Sequence, residues 1–297
     1  MLMNEVARLL GIEHPVIQGA MGVISNPEMV AAVSEAGGLG LLATAFLTDP
    51  EKLKPQIEAT RRLTDKPFGA NLMALNPINE AMARILAEMG VTTVTTSGGL
   101  PKPLIDMLKD RGLKVLHVVS SASAAVKAEA AGVDAVIAEG AESGGIQGFT
   151  VPSTMVLVPL VADSVKLPVI AAGGIADRRG FRAALALGAQ GVQVGTRFIA
   201  STECIAHSNY KQALIQARET DTMLVSLGRI QARVIRTPYA EKAAAPTAEG
   251  HFSSMGGSLE DAWVRGDLDA NTIPAGQVTG LIREIRSARE IVEELVA

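Results

Sequence analysis

Two glycine-bearing turns carry the clearest chemical signal in the chain. Ala171-Ala172-Gly173-Gly174-Ile175-Ala176-Asp177 is an apolar run that meets small residues and then opens a helical pattern. Val192-Gln193-Val194-Gly195-Thr196-Arg197-Phe198 repeats that order in the next unit. Small residues at such places let backbone N–H groups and a helix N-terminus face an anion with no side chain in the way. Two turns of this kind at neighbouring strand ends could hold one phosphate between them.

The other residues at strand ends are poor in charge. They include Gly19-Ala20-Met21-Gly22, Thr44, Asn71, Thr96-Ser97-Gly98-Gly99, Ser120 and Glu139-Gly140. Glu139 is the one carboxylate, with Glu142 just beyond it. There is no carboxylate pair, no lysine placed for a Schiff base and no Ser/His/Asp set. A site of small neutral groups does little acid–base work itself and suits a cofactor that carries the reaction. The Asn71 amide could bond a flat heterocycle, or it could satisfy its own backbone in a turn. Gln193 lies in an otherwise apolar strand and needs a partner, either a cofactor group or a bond inside the fold. Of the histidines, His117 sits in an apolar strand and reads as a satisfied core residue. His14 and His207 carry no pattern, and His251 lies in a candidate lid. Cys204 has no Cys or His partner at metal-ligand spacing and reads as a structural thiol.

Something must place those strand ends on one face. From Val16 the chain alternates short β-branched apolar runs with helical stretches. The strands read as Val16–Met21, Leu39–Thr44, Pro67–Met73, Val91–Thr96, Lys114–Val119, Asp134–Ala138, Pro168–Ala172 and Gly191–Gly195. Asn26-Pro27, Asp49-Pro50 and Asn76-Pro77 are helix-start signals, and Gly37, Gly90, Gly112, Gly132 and Gly188 are stops. Between the sixth strand and its helix runs a longer loop, Glu139 to Pro152. Continuous apolar strands separated by helices favour a parallel sheet covered on both faces. Eight of them favour a closed α/β barrel, the TIM (β/α)8 fold, whose active sites sit where strands hand over to helices. The length, 297 residues, accommodates such a barrel, which commonly takes roughly 250.

The organisation expected is residues 1–200 plus 201–217 as the barrel, with 218–297 as a small helical and lid region packed on it. Within that region 240–257 reads as a lid, Leu259–Val264 as a short helix and Thr279–Val296 as a final amphipathic helix. That last helix could pack on its own barrel or on a second copy, which leaves a homodimer open. A net charge of −4 without a basic stripe disfavours nucleic acid. No apolar stretch is long enough for a membrane span, and Met1–Gly11 reads as a short amphipathic helix rather than a leader. One cysteine fits a reducing, cytoplasmic setting and small-molecule substrates.

At the level of motifs the chain resembles the FMN-dependent nitronate monooxygenases, formerly 2-nitropropane dioxygenases, and the related enoyl-acyl-carrier-protein reductases of the FabK type. The likeness runs from Val16-Ile17-Gln18-Gly19-Ala20-Met21-Gly22 to Ala275-Gly276-Gln277-Val278-Thr279-Gly280-Leu281-Ile282. Its most specific pieces are Lys66-Pro67-Phe68-Gly69-Ala70-Asn71-Leu72-Met73, Glu139-Gly140-Ala141-Glu142-Ser143-Gly144-Gly145 and the two glycine turns. The resemblance implies FMN as cofactor. It places Met21 and Gly22 in a loop lining the flavin, Asn71 near its ring, Glu139 where many members have Gln, and Gly144 in the following loop. Gly173, Gly174, Gln193, Val194, Gly195 and Thr196 then form the phosphate turns. One departure matters: the family loop usually reads Glu-Ala-Gly-Gly-His, and here it reads Glu142-Ser143-Gly144-Gly145-Ile146. Isoleucine carries no proton, and losing general acid–base help typically removes about 10²–10⁴ in rate. Gln147 is the nearest polar residue and could orient a substrate oxygen.

A nitronate is already an anion, so its oxidation needs no base. The first expectation is therefore an oxidoreductase of nitronate monooxygenase type acting with O2. An NAD(P)H-dependent enoyl-thioester or quinone reductase is the second. A flavin-binding protein with little turnover, given Ile146, and a flavin-free barrel binding a sugar phosphate complete the set.

Overall fold

The apolar runs become strands whose ends converge. The computed structural model describes residues 4–100, 102–148, 151–227, 230–244 and 258–297. Its strands are β1 (Val16–Gln18), β2 (Gly40–Ala43), β3 (Phe68–Met73), β4 (Thr93–Ser97), β5 (Lys114–Val119), β6 (Ala135–Glu139), β7 (Gly145–Gln147), β8 (Val169–Ala172), β9 (Gly191–Val194), β10 (Thr222–Leu227) and β11 (Ile230–Ile235). Eight of these form one parallel sheet in the order β1-β9-β8-β6-β5-β4-β3-β2. Ile17 bridges Leu39 just ahead of β2, with Leu39 N donating to Val16 O and Gln18 N to Leu39 O, both at 2.9 Å. Those bonds close the ring, so the sheet is the TIM barrel expected.

Helices cover the barrel, and two apolar layers result. The outer layer lies between strands and helices, as in Val30 and Val33 against Leu42, or Leu157 and Val161 near Val136. The inner layer fills the barrel with Ile17, Leu41, Leu116, Ile137 and Ile170, and the first helix, Glu5–Leu10, adds Val6, Ala7 and Leu10 to it. That helix plugs the end opposite the strand C-termini. Lys114 Nζ, on β5, ties it down by donating to Leu9 O at 2.6 Å. Helix Ser208–Gln216 takes the place of the eighth barrel helix within 201–217.

Two expectations need correction. The loop 139–152 contains β7, and the region 218–297 is not helical throughout. It holds the hairpin β10–β11, and β11 pairs antiparallel with β7 through Gln231↔Gln147, Ala232↔Ile146 and Arg233↔Gly145. The three-stranded sheet satisfies backbone groups that a loop would have left to water. The final amphipathic helix is also shorter than expected. Ser287 accepts from Glu290 N and Glu290 reaches back to Ser287 N, a capping box that starts the helix at Ala288. Gln277–Leu281 is a separate 3-10 turn. Helix Ala288–Val296 packs on its own barrel, against helices Pro27–Glu35 and Arg178–Ala186. Of the candidate lid, 240–244 belong to helix Pro238–Ala244, and 245–257, with His251, lie outside the described residues. Among the described residues no helix is long and apolar enough to cross a membrane.

The layer between β2 and helix Pro27–Glu35 depends on the absence of one side chain. A Cβ at Gly40 would lie 2.2 Å from Val30 O, a backbone atom that cannot swing away. Gly40→Ala should therefore cost about 1–3 kcal/mol by overpacking. The check is the denaturant midpoint, and an unchanged midpoint would show that the helix can shift outward freely.

Candidate active site

The strand C-termini open into a cavity of about 520 Å³. Every residue expected to hold the cofactor lines it: Met21 and Gly22 after β1, Asn71 on β3, Glu139 ending β6, Gly144 beyond it, Gly173 and Gly174 after β8, and Gln193, Val194, Gly195 and Thr196 along and after β9. Residues up to 175 positions apart in sequence meet here because parallel strands all deliver their ends to one face.

Gly173 and Gly174 adopt φ of +90° and +75°, a backbone region that glycine enters at little cost. A Cβ on Gly173 would approach Gly140 O to 2.9 Å, so the turn also needs glycine for space. Among the described residues, the N–H groups of Gly174 and Gly195 have no acceptor. Gly195 precedes helix Thr196–Ile199, and Thr196 Oγ1 accepts from Gly276 N at 3.0 Å. The turns therefore present free backbone donors to the cavity.

The polar side chains divide into committed and uncommitted groups. Asn71 Nδ2 donates to Thr95 Oγ1 at 3.0 Å, and its backbone O accepts from Thr44 Oγ1 at 2.6 Å. Its Oδ1 makes no bond to the described residues, so this amide is not the self-satisfied turn residue weighed above. The Gln193 amide lines the cavity and makes no hydrogen bond to the described residues. Glu142 is committed: its carboxylate accepts from Thr154 N at 2.8 Å and from Thr154 Oγ1 at 2.9 Å. It thereby caps helix Thr154–Ala162, whose own N-cap Ser153 makes no side-chain bond. Tyr210 donates to Pro274 O. Glu139 is the exception among the carboxyls. Desolvation pushes its pKa up to about 7, and the Ser143 hydroxyl beside it offsets part of that rise.

Ile146 lines the cavity with its side chain 43% exposed, so position 146 faces the ligand space. Gln147 does not. It is buried, and Nε2 donates to Ser143 Oγ at 2.8 Å, to Ala141 O at 3.2 Å and to Ser143 O. The reason is the strand period: adjacent residues of β7 point to opposite sides, and Ile146 takes the cavity side. The expectation that Gln147 orients a substrate is corrected accordingly. It holds the loop.

The described histidines stay out of the cavity. His117 is buried, pairs its Nδ1 with Thr96 Oγ1 at 2.7 Å and is lowered to about pKa 4 by burial, as suits a neutral core residue. His207 caps helix Ser208–Gln216 by accepting from Asn209 N, and His14 lies at the surface beside Glu13. Cys204 is buried and donates to Ile24 O, a structural thiol. Among the described residues no group of three or more His, Cys, Asp or Glu could hold a metal.

Several lining residues escaped sequence reading. Phe46, Met73, Tyr210 and Trp263 supply the apolar walls. Trp263 comes from helix Leu259–Trp263, donates Nε1 to Thr272 O at 2.8 Å and packs over Gly22. A Cβ on Gly22 would lie 2.5 Å from its ring. One signal was available: Trp263 is the only tryptophan in a chain with 3% aromatics. Free backbone donors for a phosphate, the Gln193 amide, the Oδ1 of Asn71 and apolar walls fit a flat heterocycle carrying a phosphate tail.

Comparison with known proteins agrees with this geometry. The nitronate monooxygenase family model matches residues 4–297. A nitronate monooxygenase of Pseudomonas aeruginosa is 34% identical, covering 98% of this chain and 99% of that one. A probable nitronate monooxygenase of Staphylococcus saprophyticus is also 34% identical, over 76% of each chain. Among solved structures, FabK from Thermotoga maritima is 43% identical with a TM-score of 0.93, covering 100% of this chain and 96% of that one. A nitroalkane oxidase from Streptomyces ansochromogenes is 29% identical with a TM-score of 0.83, covering 98% and 96%. The chain belongs to the nitronate monooxygenase family of flavin-dependent oxidoreductase enzymes.

Proposed function

We propose that this protein binds FMN and oxidises an anionic nitronate with O2. The observation that carries the reading is position 146. Its side chain faces the cavity and is isoleucine, and no described histidine reaches the cavity. A substrate that arrives as an anion needs no proton removed. Bound FMN would supply the electron-accepting and oxygen-reactive chemistry. The chain's own part is binding and orientation. The Gly174 and Gly195 N–H groups would receive the phosphate. Gln193 and the Oδ1 of Asn71 would meet polar groups of the cofactor. Met21, Gly22 and Gly144 would line its ring. Phe46, Met73 and Trp263 would exclude water from the side where the substrate enters.

A second reading has its own support in the 43% identity with FabK over the whole chain. On that reading the site takes electrons from NAD(P)H and passes them to an enoyl thioester or a quinone.

Two measurements test these statements. Gly195 has a φ of −111°, and a Cβ there would sit 3.6 Å from Met21 Sδ, so the position accepts a side chain. Gly195→Asp should weaken FMN binding by about 10²-fold through charge repulsion, and riboflavin binding far less. Equal losses for both ligands would remove the phosphate from these turns. Anaerobic mixing with propionate 3-nitronate should bleach the flavin absorbance near 450 nm, whereas NADH and NADPH should leave it. Bleaching by a pyridine nucleotide alone would establish the reductase reading, and bleaching by neither would indicate a flavin binder with little turnover.

A further inference from the structure

Three ionisable side chains among the described residues line the cavity: Glu139, Glu142 and Tyr210. Glu142 is used up in capping helix Thr154–Ala162, and Tyr210 in its bond to Pro274 O. Glu139 caps no helix and meets only the Ser143 hydroxyl. It ends β6 in register with Ala172 of β8, so its backbone is held against that strand, and it lines the cavity. We propose that Glu139 is the general base of this site, taking the α-proton of a neutral nitroalkane so that the nitronate is formed inside the cavity. This rests on the nitronate reading for the oxidation and widens its substrate from the preformed anion to the neutral nitroalkane, because Ile146 removes only the loop histidine as a base.

The step balances without a further reagent. The α C–H bond breaks and its proton passes to a carboxylate oxygen of Glu139. The electron pair left behind forms the C=N bond of the nitronate, and a nitro N=O pair moves onto oxygen. Glu139 lies on a different strand end from Ile146, so it stands in for the missing loop histidine from the barrel rim.

Its surroundings suit a base that works near neutrality. Glu142 and Tyr210 line the same cavity. Arg233 of β11 lies beyond Glu142, where Nε donates to Ala141 O at 3.0 Å. His117 of the adjacent β5 is turned to Thr96. None of these charges acts appreciably on Glu139, whose value is set by desolvation and Ser143. Gln147 donates to Ser143 Oγ, which fills a lone pair of that hydroxyl and leaves its hydrogen free to turn to Glu139. Gln147 is thus a positioning residue, acting through Ser143. A carboxyl near pKa 7 is matched to its task, because a general base is most effective when its pKa lies near the working pH.

The test separates proton transfer from oxidation. The FMN-loaded protein is mixed anaerobically with nitroethane in D2O, and α-hydrogen exchange is followed by NMR, corrected for the spontaneous rate and normalised to bound flavin. The wild type should accelerate exchange, with a rate that falls as pH drops through about 7, because the base must be deprotonated. Glu139→Gln should lower the exchange by about 10²-fold or more. Glu139→Asp should retain a measurable part of it together with the acid limb. Exchange in Glu139→Gln equal to wild type would overturn the assignment. So would a wild type that oxidises propionate 3-nitronate yet exchanges nothing, and that result would leave the nitronate reading standing. Failure of nitronate oxidation in flavin-loaded protein would instead remove the reading beneath it.

Discussion

Two backbones cross at Gly144 and Gly276 with no room between them for a side chain. A Cβ on Gly144 would lie 2.5 Å from Gly276 N, and one on Gly276 would lie 2.6 Å from Glu142 O. At this crossing Gln277 N donates to Glu142 O at 2.9 Å and Gly276 N to Thr196 Oγ1 at 3.0 Å. The joint locks three pieces of chain together: the loop after β6, the segment before the 3-10 turn, and the turn after β9. Each carries part of the cavity wall. Substituting either glycine would push against backbone, and backbone in a closed crossing has nowhere to go.

That joint explains why the loop after β6 can be functional and still ordered. Its two halves are fixed by unlike means. Glu142 reaches outward to Thr154 and spends its charge on the first turn of the next barrel helix. β7 reaches the other way and adds itself to the β10–β11 hairpin. Gln147, buried beneath, ties the loop to its own backbone at Ala141 and Ser143. With the loop held at Glu142, at Gly144 and along β7, position 146 has one side open to it, the cavity. The identity of that residue then sets the chemistry of the wall without affecting how the loop is built.

The barrel was legible because its rules are local. A β-branched apolar run bounded by glycine reads as a buried strand, and eight in succession leave few other architectures. The two glycine turns were legible as turns for the same reason, since the residues that make each one are adjacent in sequence. What stayed hidden depends on partners far along the chain. Gly145-Ile146-Gln147 has no periodicity of its own and becomes a strand only because Ala232, 86 positions later, pairs with Ile146. The hairpin strands were passed over because the long 218–297 segment gave no repeat to follow. The final helix was overextended because apolar spacing continued through Gly280 toward Ser287. The Ser287–Glu290 pair that actually starts it is a legible signal that periodicity outweighed. Gln147 was misplaced by one step of a period-2 strand, the smallest error that reverses a side chain.

The cavity is best understood by subtraction. A buried polar group without a partner costs about 1–3 kcal/mol, so a folded chain leaves few of them unless a ligand completes them. Thr95 and Asn71 serve each other, Glu142 serves Thr154, Ser143 serves Gln147, and Tyr210 serves Pro274. Among the described residues, what remains is the N–H of Gly174, the N–H of Gly195, the Gln193 amide and the Oδ1 of Asn71, with the Glu139 carboxyl met by the Ser143 hydroxyl alone. Two donors gather at the turns and the amides lie along the strand ends, with apolar walls between. That remainder has the polarity of a phosphate-tailed heterocycle at one end and one proton-exchanging group. A sugar phosphate would satisfy the turns but would leave Phe46, Met73 and Trp263 facing hydroxyls. A flat aromatic ring with a phosphate tail would satisfy both ends of the cavity at once, which a sugar phosphate would not.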